Sequence, residues 1–179
     1  MSEQYKIIFA GSVGAGKTTA IAQLSDDDLV TTEQRASDDV KLKKQHTTVA
    51  MDYGSVQLEN GDTLHLYGTP GQKRFESMWQ VLADGCMGLV ILIDHSSKSP
   101  LEDLTFFLEK FTELTSDCPI VVGLTHMTRA KGPSIDEYQN IIFEKKLRCA
   151  VFEVDARKLN DVITLLKALL YCIDAQQVG

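Results

Sequence analysis

Two groups of residues in this chain could handle a phosphate. The first, Gly11-Ser12-Val13-Gly14-Ala15-Gly16-Lys17-Thr18-Thr19, follows the apolar run YKIIFA and has the spacing G-x-x-x-x-G-K-T. Gly11, Gly14 and Gly16 allow a tight turn whose successive N–H groups point inward and form a nest for an anion. A helix opening at about Gly16 would add its positive dipole end. The Lys17 ammonium would reach the β- and γ-phosphates of a nucleotide, and the Thr18 hydroxyl would coordinate Mg2+. Such spacing can arise by chance in a glycine-rich turn. A strand before it and a helix after it are the context this chemistry requires, and the residue pattern supplies both. The second group is Gly68-Thr69-Pro70-Gly71-Gln72, placed after the strand-like run DTLHLY.

The elements that must position these groups alternate along the chain. YKIIFA reads as a strand and TTAIAQLS as the helix after the glycine loop. Residues 25–46 are polar and charged with no sustained apolar period, so they read as a long exposed loop. TVAMDYGSVQL and DTLHLYG flank Glu59-Asn60-Gly61, which signals an antiparallel hairpin. CMGLVILID is almost wholly apolar, as expected of a strand buried on both faces. A helix follows Pro100, with Leu101, Leu104, Leu108 and Phe111 on one side. The strand PIVVGLT, a helix near 134–146, the strand CAVFEVD and a helix from about 159 to 173 complete the pattern. This order predicts an α/β fold over 1–179: a mostly parallel six-stranded sheet with one antiparallel edge strand and helices on both faces.

The chain has 179 residues, 44% of them hydrophobic and 24% charged, which suits one globular domain. No run of about 18 apolar residues occurs, and neither secretion nor lipidation signals are present, so a cytoplasmic protein without a direct membrane anchor is expected. A net charge of −7 argues against nucleic-acid binding. Cys86, Cys118, Cys149 and Cys172 lie far apart with no C-x-x-C pair, which favours free thiols over zinc or redox chemistry.

Together, GSVGAGKTT and GTPGQ resemble the Ras-like small GTPase superfamily of P-loop NTPases, in element order and over the whole chain. TTVAMDYG, LYGTPGQKRF and the nearby tryptophan more narrowly resemble a bacterial and archaeal group that includes the conservon GTPases and the gliding-motility GTPase MglA. The resemblance implies GTP or GDP as bound nucleotide with Mg2+, and a small protein regulator, of Roadblock type in that group, alongside activating and exchange factors. It also implies residue roles. Thr48, or the adjacent Thr47, would be the first-switch threonine that closes on Mg2+. Gly71 would donate its N–H to the γ-phosphate, and Gln72 would orient the attacking water. Lys17, Thr48 and Gln72 are then the catalytic set, and Thr18 with Thr48 the metal ligands.

This sequence departs from that pattern in four places. Gly68 stands where an aspartate usually opens the second switch; Asp52, four residues past Thr48, is either a substitute metal contact or a hairpin-face carboxylate. Val13 stands where most of that superfamily has a glycine close to the γ-phosphate, and a branched side chain there would crowd Gln72 or an incoming arginine. No arginine finger is evident, and Arg35 and Arg74 are the nearby candidates. Slow hydrolysis is therefore expected. The fourth departure is at the base. Thr125-His126-Met127-Thr128 replaces N/T-K-x-D, so His126 could stack on the base but Thr128 cannot supply the bidentate carboxylate that guanine uses. Asp155-Ala156-Arg157 replaces S-A-K, leaving the Ala156 N–H to meet the base oxygen.

The expected function is a nucleotide-dependent switch. The alternatives are a non-hydrolysing scaffold and a P-loop protein with relaxed or adenine specificity. Phe75, Met78 and Trp79 follow Gln72 at helical spacing, and either pack under the switch or form an exposed patch for a partner.

Overall fold

The computed structural model describes residues 3–31, 51–72, 75–115, 118–129 and 131–177. In chain order the strands are β1 (Gln4–Gly11), β2 (Val30–Thr31), β3 (Asp52–Gln57), β4 (Thr63–Gly68), β5 (Gly88–Asp94), β6 (Ile120–Thr125) and β7 (Ala150–Glu153). The helices are α1 (Lys17–Leu24), α2 (Glu76–Ala83), α3 (Pro100–Leu114), α4 (Ile135–Glu144) and α5 (Leu159–Gln177). The strands form one sheet in the order β2-β3-β4-β1-β5-β6-β7. β1 pairs in parallel with β4 and β5, β5 with β6, and β6 with β7. β3 alone runs against its neighbours, antiparallel to both β2 and β4. The expected architecture holds, with seven strands rather than six among the described residues. The addition is β2, a two-residue pairing of Val30 with Tyr53 and Thr31 with Asp52, too short to leave a periodic pattern.

Strand alternation divides the core between the two faces of the sheet. Ile7 and Phe9 face one side with Leu64, Leu66, Val90 and Leu92, where Ile21 of α1 and Val162, Leu165 and Leu169 of α5 cover them. Ile8 and Ala10 face the other with Leu89, Ile91, Ile93, Val122 and Leu124, under α2, α3 and α4. Trp79, Leu104, Phe107, Phe111 and Tyr138 are all buried there. The β3–β4 hairpin turns through Gly61, whose φ of 88° lies in the left-handed region that Asn-Gly turns use. A capping box opens α4, in which Ser134 Oγ accepts from the Glu137 N–H and Glu137 returns the bond to the Ser134 N–H.

Because successive strands are added on opposite sides of β1, the chain reverses direction of winding beside it. The crevice at the carboxyl ends of β1, β5 and β6 is where an open α/β sheet receives a ligand. The glycine loop, Asp94 and Thr125 all lie at that edge. No helix among the described residues is long and apolar enough to cross a membrane.

Candidate functional site

The glycine loop joins β1 to α1 through three residues with positive φ: Gly11 at 142°, Gly14 at 81° and Gly16 at 97°. Gly16 is the N-cap of α1 and no side chain caps it, so the first turn presents its N–H groups to the crevice. Lys17 folds back over the loop, its Nζ donating to the Gly11 carbonyl at 2.8 Å and the Ser12 carbonyl at 2.7 Å. Burial lowers the Lys17 ammonium to about 8, against an opposing pull from the Asp52 charge. Ala15 is buried beneath the loop, whereas Thr19 is exposed on the first turn of α1.

A cavity of about 220 Å³ opens in front of this loop, lined among others by Val13, Lys17, Thr18, Asp52, Gly71 and Gln72. The Thr18 Oγ1 donates to Asp52 Oδ2 at 2.5 Å, and the Asp52 side chain lines the cavity in front of the loop. Register explains how it gets there. Asp52 lies opposite Gly68 in the antiparallel β3–β4 pair. A Cβ built on Gly68 would sit 3.1 Å from Asp52 Cβ and 3.1 Å from Ile21 Cδ1. The carboxylate thus uses the space that a side chain on β4 would need. One hydroxyl and one carboxylate oxygen, both hard donors, fit Mg2+, which keeps most of its waters and takes few protein ligands.

Beyond β4 the backbone returns to the loop. The Thr69 N–H donates to the Phe9 carbonyl at 2.9 Å. Gly71 then passes so close that a Cβ there would lie 2.5 Å from the Val13 nitrogen and 2.7 Å from the Ser12 carbonyl carbon. Only glycine permits that approach, which brings the Gly71 backbone against the glycine loop. Gln72 is exposed at the cavity mouth, across from Val13, which is itself 66% exposed. Thr69 also lines the cavity, and its Oγ1 is buried with no hydrogen-bond partner among the described residues. Sequence reasoning passed over Thr69; it sits inside GTPGQ, but nothing in its type distinguishes it from a turn residue.

Trp79 is fully buried, its Nε1 donating to the Pro70 carbonyl at 3.0 Å and its ring stacked on Phe111. It therefore packs under the segment and is not part of an exposed patch; Phe75 and Met78 are half-buried.

The residues expected to meet a base are held differently from the glycine loop. Thr125 is buried, and its Oγ1 donates to the Ala15 carbonyl at 3.0 Å, tying β6 to the glycine loop. Ala156 packs on the same loop, 3.0 Å from a Cβ built on Gly16. His126 adopts φ 59°, and its Nδ1 lies 3.0 Å from Asp94 Oδ1, a close contact without hydrogen-bond alignment. Burial works to raise the Asp94 carboxyl, but the hydrogen bonds from Ser96, with the His126 ring close by, outweigh it and hold it below the usual range. Thr128 is exposed on the following turn. Arg157 Nε and a terminal nitrogen each donate to the Asp155 carboxylate at 2.8 Å and keep it well below the ordinary range. Thr48, Thr47, Arg35 and Arg74 lie outside the described residues.

Comparison with known proteins bears on the base and on the switch. The model of a family described as "Conserved hypothetical ATP binding protein" matches residues 26–147. The Ras-related protein RabC of Dictyostelium discoideum is 24% identical over 181 residues, covering 96% of this chain and 84% of that protein. The ADP-ribosylation factor-like protein 3 of Saccharomyces cerevisiae is 25% identical over 107 residues, 60% of this chain and 50% of its own length. An uncharacterised protein of Methanocaldococcus jannaschii is 32% identical over 101 residues, covering 56% of this chain and 58% of that protein.

Proposed function

The chain belongs to the family described as conserved hypothetical ATP binding proteins, and from that premise we propose that it is a nucleotide-dependent switch that binds and slowly hydrolyses GTP. The observation that carries this reading is Gly71, whose backbone rests against Ser12 and Val13 of the phosphate loop. A γ-phosphate arriving there must either displace that segment or accept its N–H, so the segment distinguishes a triphosphate from a diphosphate. Similarity to Ras-related and ADP-ribosylation factor-like proteins supports the same assignment.

In this scheme the loop N–H groups and Lys17 hold the β- and γ-phosphates. Thr18 and Asp52 are the groups that would hold Mg2+, with Thr48 joining them in the triphosphate form. The metal supplies neutralisation of phosphate charge. Gln72 positions the attacking water rather than taking its proton. Val13 is exposed and lines the same cavity as Gln72, and in this scheme its branched side chain would crowd Gln72 and slow turnover. A small protein regulator, of Roadblock type, would assist hydrolysis, and activating and exchange factors would set the nucleotide state. The protein would act in the cytoplasm.

A second reading, relaxed or adenine specificity, is favoured by Thr128. It has no carboxylate to take two hydrogen bonds from guanine, and the family description names ATP. The test is to denature natively purified protein and identify the released nucleotide by chromatography. GDP or GTP is expected; ADP or ATP would sink the guanine assignment and leave the phosphate site intact.

A further inference from the structure

We propose that Cys86 and Cys118 are a dithiol that peroxide converts to an intramolecular disulfide, fastening the loop after α2 to the start of β6. Their separation of 32 residues hides the pair in the sequence. The parallel register of β5 and β6, with Leu89 opposite Ile120, brings the segments before those strands side by side. The two Sγ atoms lie 3.5 Å apart. A disulfide needs about 2.05 Å, so the two sulfurs must close by roughly 1.5 Å. Both thiols are half-buried, so a small oxidant can reach them.

The two sulfurs are unequal. The Cys118 thiol can donate to Cys86 Sγ, which lowers the Cys86 thiol, and the Lys6 ammonium adds to the effect. Lys6 is held near by its bond to the Asp84 carbonyl at 2.6 Å. The same contact, together with burial, pushes the Cys118 thiol up. Cys86 is thus the attacking sulfur and Cys118 the resolving one. In the first step the Cys86 thiol gives its proton to solvent and the thiolate attacks a peroxide oxygen; the O–O bond breaks, sulfenic acid and hydroxide form, and the hydroxide takes up a proton to become water. In the second, Cys118 sulfur attacks Cys86 sulfur, the S–S bond forms and the sulfenic oxygen leaves as water with the Cys118 proton. Two thiols lose two electrons and two protons, and the peroxide is reduced to two waters. Cys149, pushed up to about 12 by burial and then by Cys172, is an internal control of low reactivity.

The bond would hold the end of α2, the helix whose Trp79 supports the Pro70 carbonyl just before Gly71. The test exposes the reduced full chain to hydrogen peroxide, alkylates it and maps unreduced tryptic peptides by mass spectrometry. Lys98 and Lys110 separate the two cysteines into different peptides. The expected product joins the Cys86 and Cys118 peptides with the loss of two hydrogens and leaves Cys149 and Cys172 alkylated. Thermal unfolding of that product should move up by roughly 5–10 °C. In Cys118→Ser, Cys86 should stop at a sulfenic acid that dimedone captures. Absence of the joined peptide from wild-type protein, cross-links between chains, or oxidation spread evenly over all four cysteines would each overturn the proposal. The wild-type map decides the bond even if a variant fails to fold.

Discussion

Replacing Lys17 by Met should separate what the lysine does for the ligand from what it does to the fold. Burial lowers Lys17 from 10.5 to about 8. At about 1.4 kcal/mol for each pH unit, holding the ammonium in the free site costs about 3.5 kcal/mol. Its bonds to the Gly11 and Ser12 carbonyls return part of that, about 1 kcal/mol each. Methionine keeps the length and removes the charge, so the nucleotide-free variant should be more stable by about 1.5 kcal/mol, or roughly 3–6 °C in Tm. The pH dependence has a definite sign. Between about 8 and 10.5 the unfolded chain binds the Lys17 proton and the folded one does not. Wild type should therefore gain stability relative to the variant's profile as pH rises through that window, with the full penalty present below it. Nucleotide affinity should fall on the order of 100-fold or more, because two charge-assisted bonds to phosphate are lost. Urea unfolding of nucleotide-stripped protein across this pH range, with nucleotide titration alongside, measures both. A less stable free variant, or affinity within tenfold of wild type, would refute the reasoning.

Three further substitutions probe the rest of the site. Asp52→Asn should weaken nucleotide binding about 10–100-fold in Mg2+ and little in EDTA, by calorimetric titration; equal losses in both would remove Asp52 from the metal site. Gly71→Ala should push the segment off Val13 and cut single-turnover hydrolysis on the order of 100-fold, with diphosphate affinity within about twofold; unchanged hydrolysis would contradict its placement. Thr128→Asp should raise the GTP-over-ATP affinity ratio about 10–100-fold, measured by competition, and no gain would mean that the base lies elsewhere.

The shape of the glycine loop was legible in the sequence because its determinants are local: glycines, lysine and threonine lie within nine consecutive residues between a strand and a helix. The hairpin was legible for the same reason, from Asn60-Gly61. What stayed open depended on pairing between distant segments. Whether Asp52 meets Thr18 turns on its register opposite Gly68, which alternation alone does not set. Whether Trp79 faces the core or a partner turns on α3, whose Phe107 and Phe111 receive it. Helical period gives a face but not the direction of the core. Likewise His126 reads as a base-stacking side chain, while the ring's contact with Asp94 follows from the adjacency of β5 and β6. The cysteine pair escaped notice by the same route.

The most direct test of the switch is hydrogen–deuterium exchange of the Mg2+-loaded protein with GDP and with a non-hydrolysable GTP analogue. If Gly71 reads the γ-phosphate, the backbone from Gly68 to Ala83 exchanges more slowly in the triphosphate state, and the glycine loop is protected in both. Identical exchange from Gly68 to Ala83 in the two states would contradict the account.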